Sequence, residues 1–336
     1  MATQSDVASG VVRRRGLSLK QRHAALAYTL LLPTLLVISL IVIFPMLWNV
    51  VLSFQLIRLR DLPTINLFDL SNLSLKNYAT ATGITLGGAE ATSTAAGRRF
   101  WEALRVTFIY TIASTVLAIL LGLWAALVVR DKFPGRNIFR GFLLFPYVAP
   151  VVSLAFIWKL MLDKNIGIVN AMGTRLGLPS LSFLTTRALP VHLFGLEVTL
   201  PLALITVIAF EAWHYFPFAF LFLLARMQAI PEEMYEAAKV DGASPLQRLW
   251  YITLPHLSAV MGTLFLLRFI WTFNKFEDIF LLNGGAAGTE VLTLQIYNWL
   301  FARRNVGVSA AVAVILAVIL SILALIYLRW FLPEEE

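Results

Sequence analysis

The chain has 336 residues, of which 59% are hydrophobic and 14% charged, with no cysteine and a formal net charge of +8. This composition excludes a soluble globular protein, and the absence of cysteine excludes disulfides and thiol chemistry without identifying a compartment. A basic balance can signal nucleic acid, but in so apolar a chain Lys and Arg placed beside membrane spans account for it, and no nucleic-acid partner is expected.

About 20 apolar residues cross a bilayer, and six stretches meet that length: 24–54, 101–129, 138–160, 198–225, 257–280 and 307–330. Only helices or closed barrels satisfy every backbone group in lipid, and no alternating barrel pattern is present. The fold class predicted is an all-α polytopic membrane protein with six transmembrane helices. Its transmembrane domain runs over 24–330, between a basic N-terminal segment (1–23) and a short tail (331–336).

The N-terminal segment carries Arg13, Arg14, Arg15, Lys20 and Arg22, which places it in the cytoplasm by the positive-inside rule. It is either disordered or laid on anionic headgroups through Leu17 and Leu19. The first stretch is too long for a cleaved signal peptide, and no small-residue cleavage site follows Phe44-Pro45-Met46-Leu47-Trp48. Residues 56–99 form an outside loop, its part 79–97 rich in Ala, Thr and Gly and read as flexible. Arg130, Lys132, Arg136 and Arg140 then crowd the short connection after the second span, in agreement with the orientation. The outside loops are also basic, but they are longer and carry less topological weight. Six spans therefore put both termini and the 226–256 loop inside.

Pro134-Gly135 reads as the turn into the third span, which Pro146 and Pro150 must kink or loosen. The mixed region 161–196, with Pro179, Pro190 and His192, reads as a short scoop or a surface helix. Glu211 and Arg268 lie near the middles of the fourth and fifth spans. A lone charge there is costly, and consecutive antiparallel spans set the two at similar depth, so they are expected to meet or to share a polar cavity. Two roles fit such a pair: fixing helix register, or gating. Around it stand Trp213, His214, Tyr215, Trp271, Asn274, Glu277 and Asp278. Aromatic rings with hydrogen-bonding neighbours suit sugars. Trp and Tyr also gather at membrane interfaces, and Glu277-Asp278 equally marks the outer end of a span. The candidate substrate pathway is Glu211, Trp213, Tyr215, Arg268, Trp271, Asn274 and Glu277.

Between these two spans the sequence turns polar. Pro231 suits a first helical position, Glu232 and Glu233 follow in the dipole-favoured first turn, and a helix is predicted to about Val240. Asp241-Gly242 can stop it through a left-handed cap, and Ser244-Pro245 reads as a second start. Two short helices joined by a tight corner are predicted, with Met234, Ala237 and Ala238 on one face of the first and Leu246, Leu249 and Trp250 on one face of the second.

The spacing Glu236-Ala237-Ala238, three residues, Gly242, nine residues, Ile252-Thr253-Leu254-Pro255 resembles the cytoplasmic EAA loop (here 231–255) of binding-protein-dependent ABC importers. That resemblance implies that Glu236, Ala237, Ala238, Gly242, Ile252, Leu254 and Pro255 couple this chain to an ATPase. Phe145-Pro146, Pro150-Val151-Val152, Trp158, Gly167-Ile168-Val169-Asn170, Phe280-Leu281-Leu282-Asn283-Gly284-Gly285, Thr293, Tyr297 and Phe301 resemble the carbohydrate-type permeases, more narrowly the maltose-type first permease. The implied partners are a second related permease, two ATPase subunits that carry ATP and Mg, an extracytoplasmic solute-binding protein, and membrane lipid.

No Gly-Lys dipeptide occurs, so there is no phosphate-binding P-loop, and the Gly-rich piece 283–288 lacks the lysine. His23, His192, His214 and His256 show no metal-ligand spacing. No catalytic residue, metal site or cofactor is expected in this chain; it is not read as an enzyme. The reading is a multi-pass subunit of the plasma (inner) membrane, the permease of an ATP-driven importer for a sugar or oligosaccharide. Two rivals stand beside it: an ABC importer of glycerol phosphate or another polar metabolite, and an ion-coupled secondary transporter using Glu211, Glu277 or Asp278.

Overall fold

The computed structural model describes residues 19–61, 63–64, 73–85, 94–131, 133–193 and 196–331. Most of the basic N-terminal segment, all but the first residue of the tail, Lys132, and residues 86–93 of the predicted flexible stretch therefore lie outside the described residues.

Residues up to Val51 form a unit of their own. Helix α1 (Leu19–Ile38) runs through a π-turn, Ser39–Ile43, into α2 (Phe44–Phe54). Pro45 sits two residues beyond that π-turn, and Pro255 sits two residues beyond another, Leu249–Thr253. A proline ring collides with the carbonyl four residues back and offers it no N–H. Widening the preceding turn, so that Phe44 N–H donates to Ser39 O and Leu254 N–H to Leu249 O, relieves that clash without ending the helix.

The second unit follows from Leu52. Helices α3 (Lys76–Thr82), α4 (Thr94–Val128), α5 (Arg136–Val148), α6 (Val151–Met161) and α7 (Ile168–Arg175) lead to a hairpin, β1 (Leu189–Leu193) and β2 (Leu196–Leu200). Then come α8 (Leu202–Gln228), α9 (Glu232–Val240), α10 (Pro245–Arg248), α11 (Leu254–Phe273), α12 (Glu277–Asn283), α13 (Leu292–Tyr297) and α14 (Val306–Phe331). Among the described residues five helices are long and apolar enough to cross a membrane, and α5 with α6 supplies a sixth span if the bent pair is counted as one.

The core is built where α4 meets α8, along small residues: Ala118, Ala125, Ala126 and Ala219 are fully buried. A Cβ on Gly122 would stand 2.7 Å from the backbone N of Phe220 and 2.8 Å from the Ala219 Cβ. Gly122→Val is thus expected to push the two helices apart and to lower stability by about 1–3 kcal/mol, read as an earlier thermal unfolding of the detergent-solubilised chain. Helix α11 packs on both α4 and α8, and α14 packs on α11 and α3. Asn77 of α3 donates to Ser53 O at 2.9 Å and to Gln55 O at 2.8 Å, and Leu59 N–H donates to Arg304 O at 2.9 Å. These bonds fasten residues 53–61 to α3 and to the start of α14.

Three expectations need correction. The third span is not one kinked helix: α5 and α6 meet at 96°. Ala149 is extended (ψ 143°) because the residue before Pro150 is barred from the helical region, whereas Pro146 is carried inside α5. The fourth span begins at Leu202, since 196–200 belong to the hairpin, paired Leu189 with Leu200 through Leu193 with Leu196. The all-α architecture stands, with this two-stranded ribbon added to the 161–196 region. The fifth span ends at Phe273 rather than 280; a break at Asn274–Phe276 separates it from α12, and Thr293 Oγ1 donates to the freed Lys275 carbonyl at 2.9 Å.

Candidate functional site

Glu211 on α8 and Arg268 on α11 meet. Arg268 Nη2 donates to Glu211 Oε1 at 2.6 Å, and Thr272, one turn along α11, donates to the same oxygen at 3.3 Å. Lys275, in the break after α11, donates to Glu211 Oε2 at 3.0 Å and to Asp278 Oδ2 at 2.7 Å. Glu211, Arg268 and Asp278 are buried, and Lys275 is 11% exposed. Two cations and two carboxylates neutralise one another, so apolar surroundings can hold the cluster where a single charge would be very costly. The Tyr215 ring supplies an electron-rich face to both cations, 4.2 Å from Arg268 Cζ and 3.7 Å from Lys275 Nζ. The Tyr110 hydroxyl of α4 adjoins Glu211, so three helices converge on the cluster.

Above it lies a cleft of about 460 Å³, lined by Tyr215, Arg268, Trp271, Asn274, Lys275 and Glu277 together with Ile270 and Phe276. Five of the seven residues predicted for the substrate pathway thus border one space. The other two do not. Glu211 sits beneath the cleft as counter-ion, fully buried. Trp213 faces elsewhere, its ring 5.5 Å from that of Trp158 and 6.4 Å from that of Phe210, in the hydrophobic core. Sequence reasoning missed Lys275, Phe276, Thr272 and Tyr110. Lys275 was legible as a further charge inside the predicted span 257–280; Tyr110 carries no linear signal toward Glu211. Among the described residues no three His, Asp or Glu side chains stand together as a metal site.

The loop between α8 and α11 is built by its caps. Pro231 is the N-cap rather than the first helical residue (ψ 133°), and Glu232 and Glu233 occupy the first turn of α9. At its end Gly242 is left-handed (φ +78°). Gly242 N–H donates to Lys239 O at 3.0 Å and Ala243 N–H to Ala238 O at 2.8 Å, the paired closure of a Schellman cap. Ser244 then opens the next helix with a reciprocal capping box: its N–H donates to Gln247 Oε1 and its Oγ accepts from Gln247 N–H. The second helix is not the separate short one predicted. Pro245–Phe273 runs as one 29-residue helix through the π-turn that Pro255 imposes. The loop is therefore one short helix folded onto the end of a span.

Tyr235 locks that fold. It is buried, its hydroxyl 3.0 Å from Thr253 Oγ1, and the Arg130 guanidinium lies 3.7 Å over its ring. His256 Nδ1 stands 2.7 Å from Ile252 O, and Arg226 Nε donates to His256 O at 3.1 Å, so the His256 carbonyl ties the end of the loop to the end of α8. Ile252 and Leu254 are half-buried and Ala238 likewise, whereas Glu236, Ala237, Gly242 and Pro255 are exposed. Beside them an apolar patch is open: Val240 (88%), Tyr251 (79%), Leu246, Trp250 and Met234.

Comparison with known proteins gives one consistent answer. The model of the family described as "Binding-protein-dependent transport system inner membrane component" matches residues 118–334. The inner membrane ABC transporter permease protein YcjO of Escherichia coli is 32% identical over 301 residues, covering 88% of this chain and 90% of that protein. The trehalose/maltose transport system permease protein MalF of Thermococcus litoralis is 29% identical over 313 residues, covering 93% and 95%. In three dimensions the chain superposes on a subunit of a bacterial alginate ABC transporter, solved with its alginate pentasaccharide-bound periplasmic protein, with a TM-score of 0.72, 20% identity, and coverage of 92% and 94%. At that identity the likeness is one of fold.

Proposed function

The chain belongs to the binding-protein-dependent transport system inner membrane component family, and from that premise we infer that it is a permease subunit of an ATP-driven importer, passing a sugar or oligosaccharide handed over by an external binding protein. The sugar cargo is supported by the trehalose/maltose relative and by a cleft of aromatic faces and hydrogen-bonding groups. The assembly we propose adds a second related permease and two ATPase subunits holding ATP and Mg, with the elbow 231–255 and both termini on the cytoplasmic side of the inner membrane.

The observation that carries this reading is the elbow itself. Its apolar patch is open, its helix α9 is pinned by Tyr235, and its other arm is continuous with α11. A push on Trp250 or Tyr251 is conveyed along one helix to Arg268, about 26 Å away at 1.5 Å per residue, and from there to the break that carries Lys275. In this proposal closure of the ATPase dimer tilts α11 against α8 and opens the cleft toward the binding protein. ATP supplies the work on the partner; this chain, lacking a P-loop, only transmits it. The ion-coupled alternative loses ground, because two of its three candidate acids, Glu211 and Asp278, already bond Arg268 and Lys275, the third, Glu277, is exposed, and the family is binding-protein-dependent.

Affinity purification from native membranes is expected to bring a nucleotide-binding subunit with the chain, and Val240→Glu with Trp250→Glu to lose it. A chain that supports uptake while purifying free of any such subunit overturns the proposal.

A further inference from the structure

We propose that the cleft selects uncharged, hydroxyl-rich sugars and rejects anionic ones, so that phosphorylated or uronate cargoes are not substrates. This rests on the carbohydrate-importer reading and narrows it.

The cleft has two cations in its wall, which at first suggests an anion site. Both are already committed. Arg268 is bonded to Glu211, and Lys275 to Glu211 and Asp278, with both carboxylates fully buried. The third ammonium face of Lys275 lies against the Tyr215 ring. The Arg268 Nε–H, which has no hydrogen-bond partner, is buried. Each cation thus already has a carboxylate partner before any ligand arrives.

The groups left open are of the opposite kind. Glu277 lines the cleft, is exposed, and makes no ion pair among the described residues. Asn274 donates one amide N–H to Ile270 O at 3.0 Å, which leaves its carbonyl oxygen and its second N–H for the cleft. Both residues offer an acceptor, and only Glu277 carries an unpaired charge. A neutral sugar brings hydroxyl donors to meet them and C–H faces to lie on Trp271, which is 48% exposed. A phosphate or carboxylate brings only acceptors and a charge that Glu277 repels.

The test is carried out in cells whose only sugar uptake is the assembled transporter. Labelled trehalose, maltose and maltotriose are compared with glycerol phosphate, a hexose phosphate and a uronate oligosaccharide. Because the binding protein also selects, the same panel is titrated onto the purified membrane complex without it, reading quenching of Trp271 emission against a Trp271→Phe control. Neutral sugars are expected to be taken up and to quench, with a preference of roughly tenfold or more, the effect of about 1.4 kcal/mol. Glu277→Gln, an exposed and isosteric change, is expected to shrink that preference. Equal or better handling of the anionic cargoes overturns the inference and leaves the importer reading intact, as does neutral uptake without quenching or a preference unmoved by Glu277→Gln. Import of none of the panel sinks the carbohydrate reading beneath it.

Discussion

Glu211→Ala is expected to lower the stability of the chain by about 3–5 kcal/mol, the range found when one partner of a buried ion pair is removed. Glu211 is the hub: its two oxygens hold Arg268 and Lys275 on opposite sides. Deleting it leaves Arg268 buried with no counter-ion and Lys275 with Asp278 alone. Arg268→Ala is the milder change, since Glu211 keeps Lys275 at 3.0 Å. In the double variant the Lys275–Asp278 pair at 2.7 Å survives as a neutral unit, and the losses should fall short of their sum by roughly 0.5–3 kcal/mol. Thermal unfolding of the solubilised complex gives stability, and uptake gives function. A transport loss that outlasts the stability rescue of the double variant marks gating; parallel recovery marks a register-fixing pair. Strictly additive losses in both measurements overturn the coupling.

Gly242→Leu is expected to uncouple hydrolysis from uptake. No neighbouring atom lies within 4 Å of where its Cβ would stand, so crowding is not the reason. The backbone is: at φ +78° an ordinary L-residue is disfavoured by about 1–2 kcal/mol. Relaxing that strain breaks the Ala243–Ala238 and Gly242–Lys239 bonds and re-aims α9 against the start of α11. Insertion and ATP hydrolysis by the assembled complex should persist while uptake falls about tenfold, within the usual range of a coupling energy of 1–3 kcal/mol. Asparagine, whose short side chain tolerates the left-handed region, should restore much of the uptake at this position. Normal uptake in the Leu variant would show that the corner does not need this geometry.

Much of the loop was legible before any coordinates. Glu232 and Glu233 at the helix start, Gly242 at the stop and Ser244-Pro245 at the restart are local signals, and each acts within one turn of its own backbone. The second arm was misjudged because Ser244-Pro245 was read as opening a short helix of its own, when a π-turn carries that helix past Pro255 into the span. The meeting of Glu211 with Arg268 followed from depth alone, since antiparallel neighbours align residues equidistant from their shared loop. Trp213 went the other way. It is two residues from Glu211, and on a helix that is about 200° around the axis, toward Trp158 instead of the cleft.

The sequence by itself determined the membrane class, the approximate spans, the caps of the elbow and the pairing of one intramembrane acid with one base, because hydropathy and capping are properties of short contiguous segments. Only the tertiary structure decided that α5 and α6 bend at 96°, that the fifth span stops at Phe273, and that Lys275, Asp278 and Tyr110 complete the charge cluster. Those outcomes depend on which helices lie side by side. Burial of a charge is tolerated only once its counter-ions arrive from other elements, and no local pattern in the chain records their arrival.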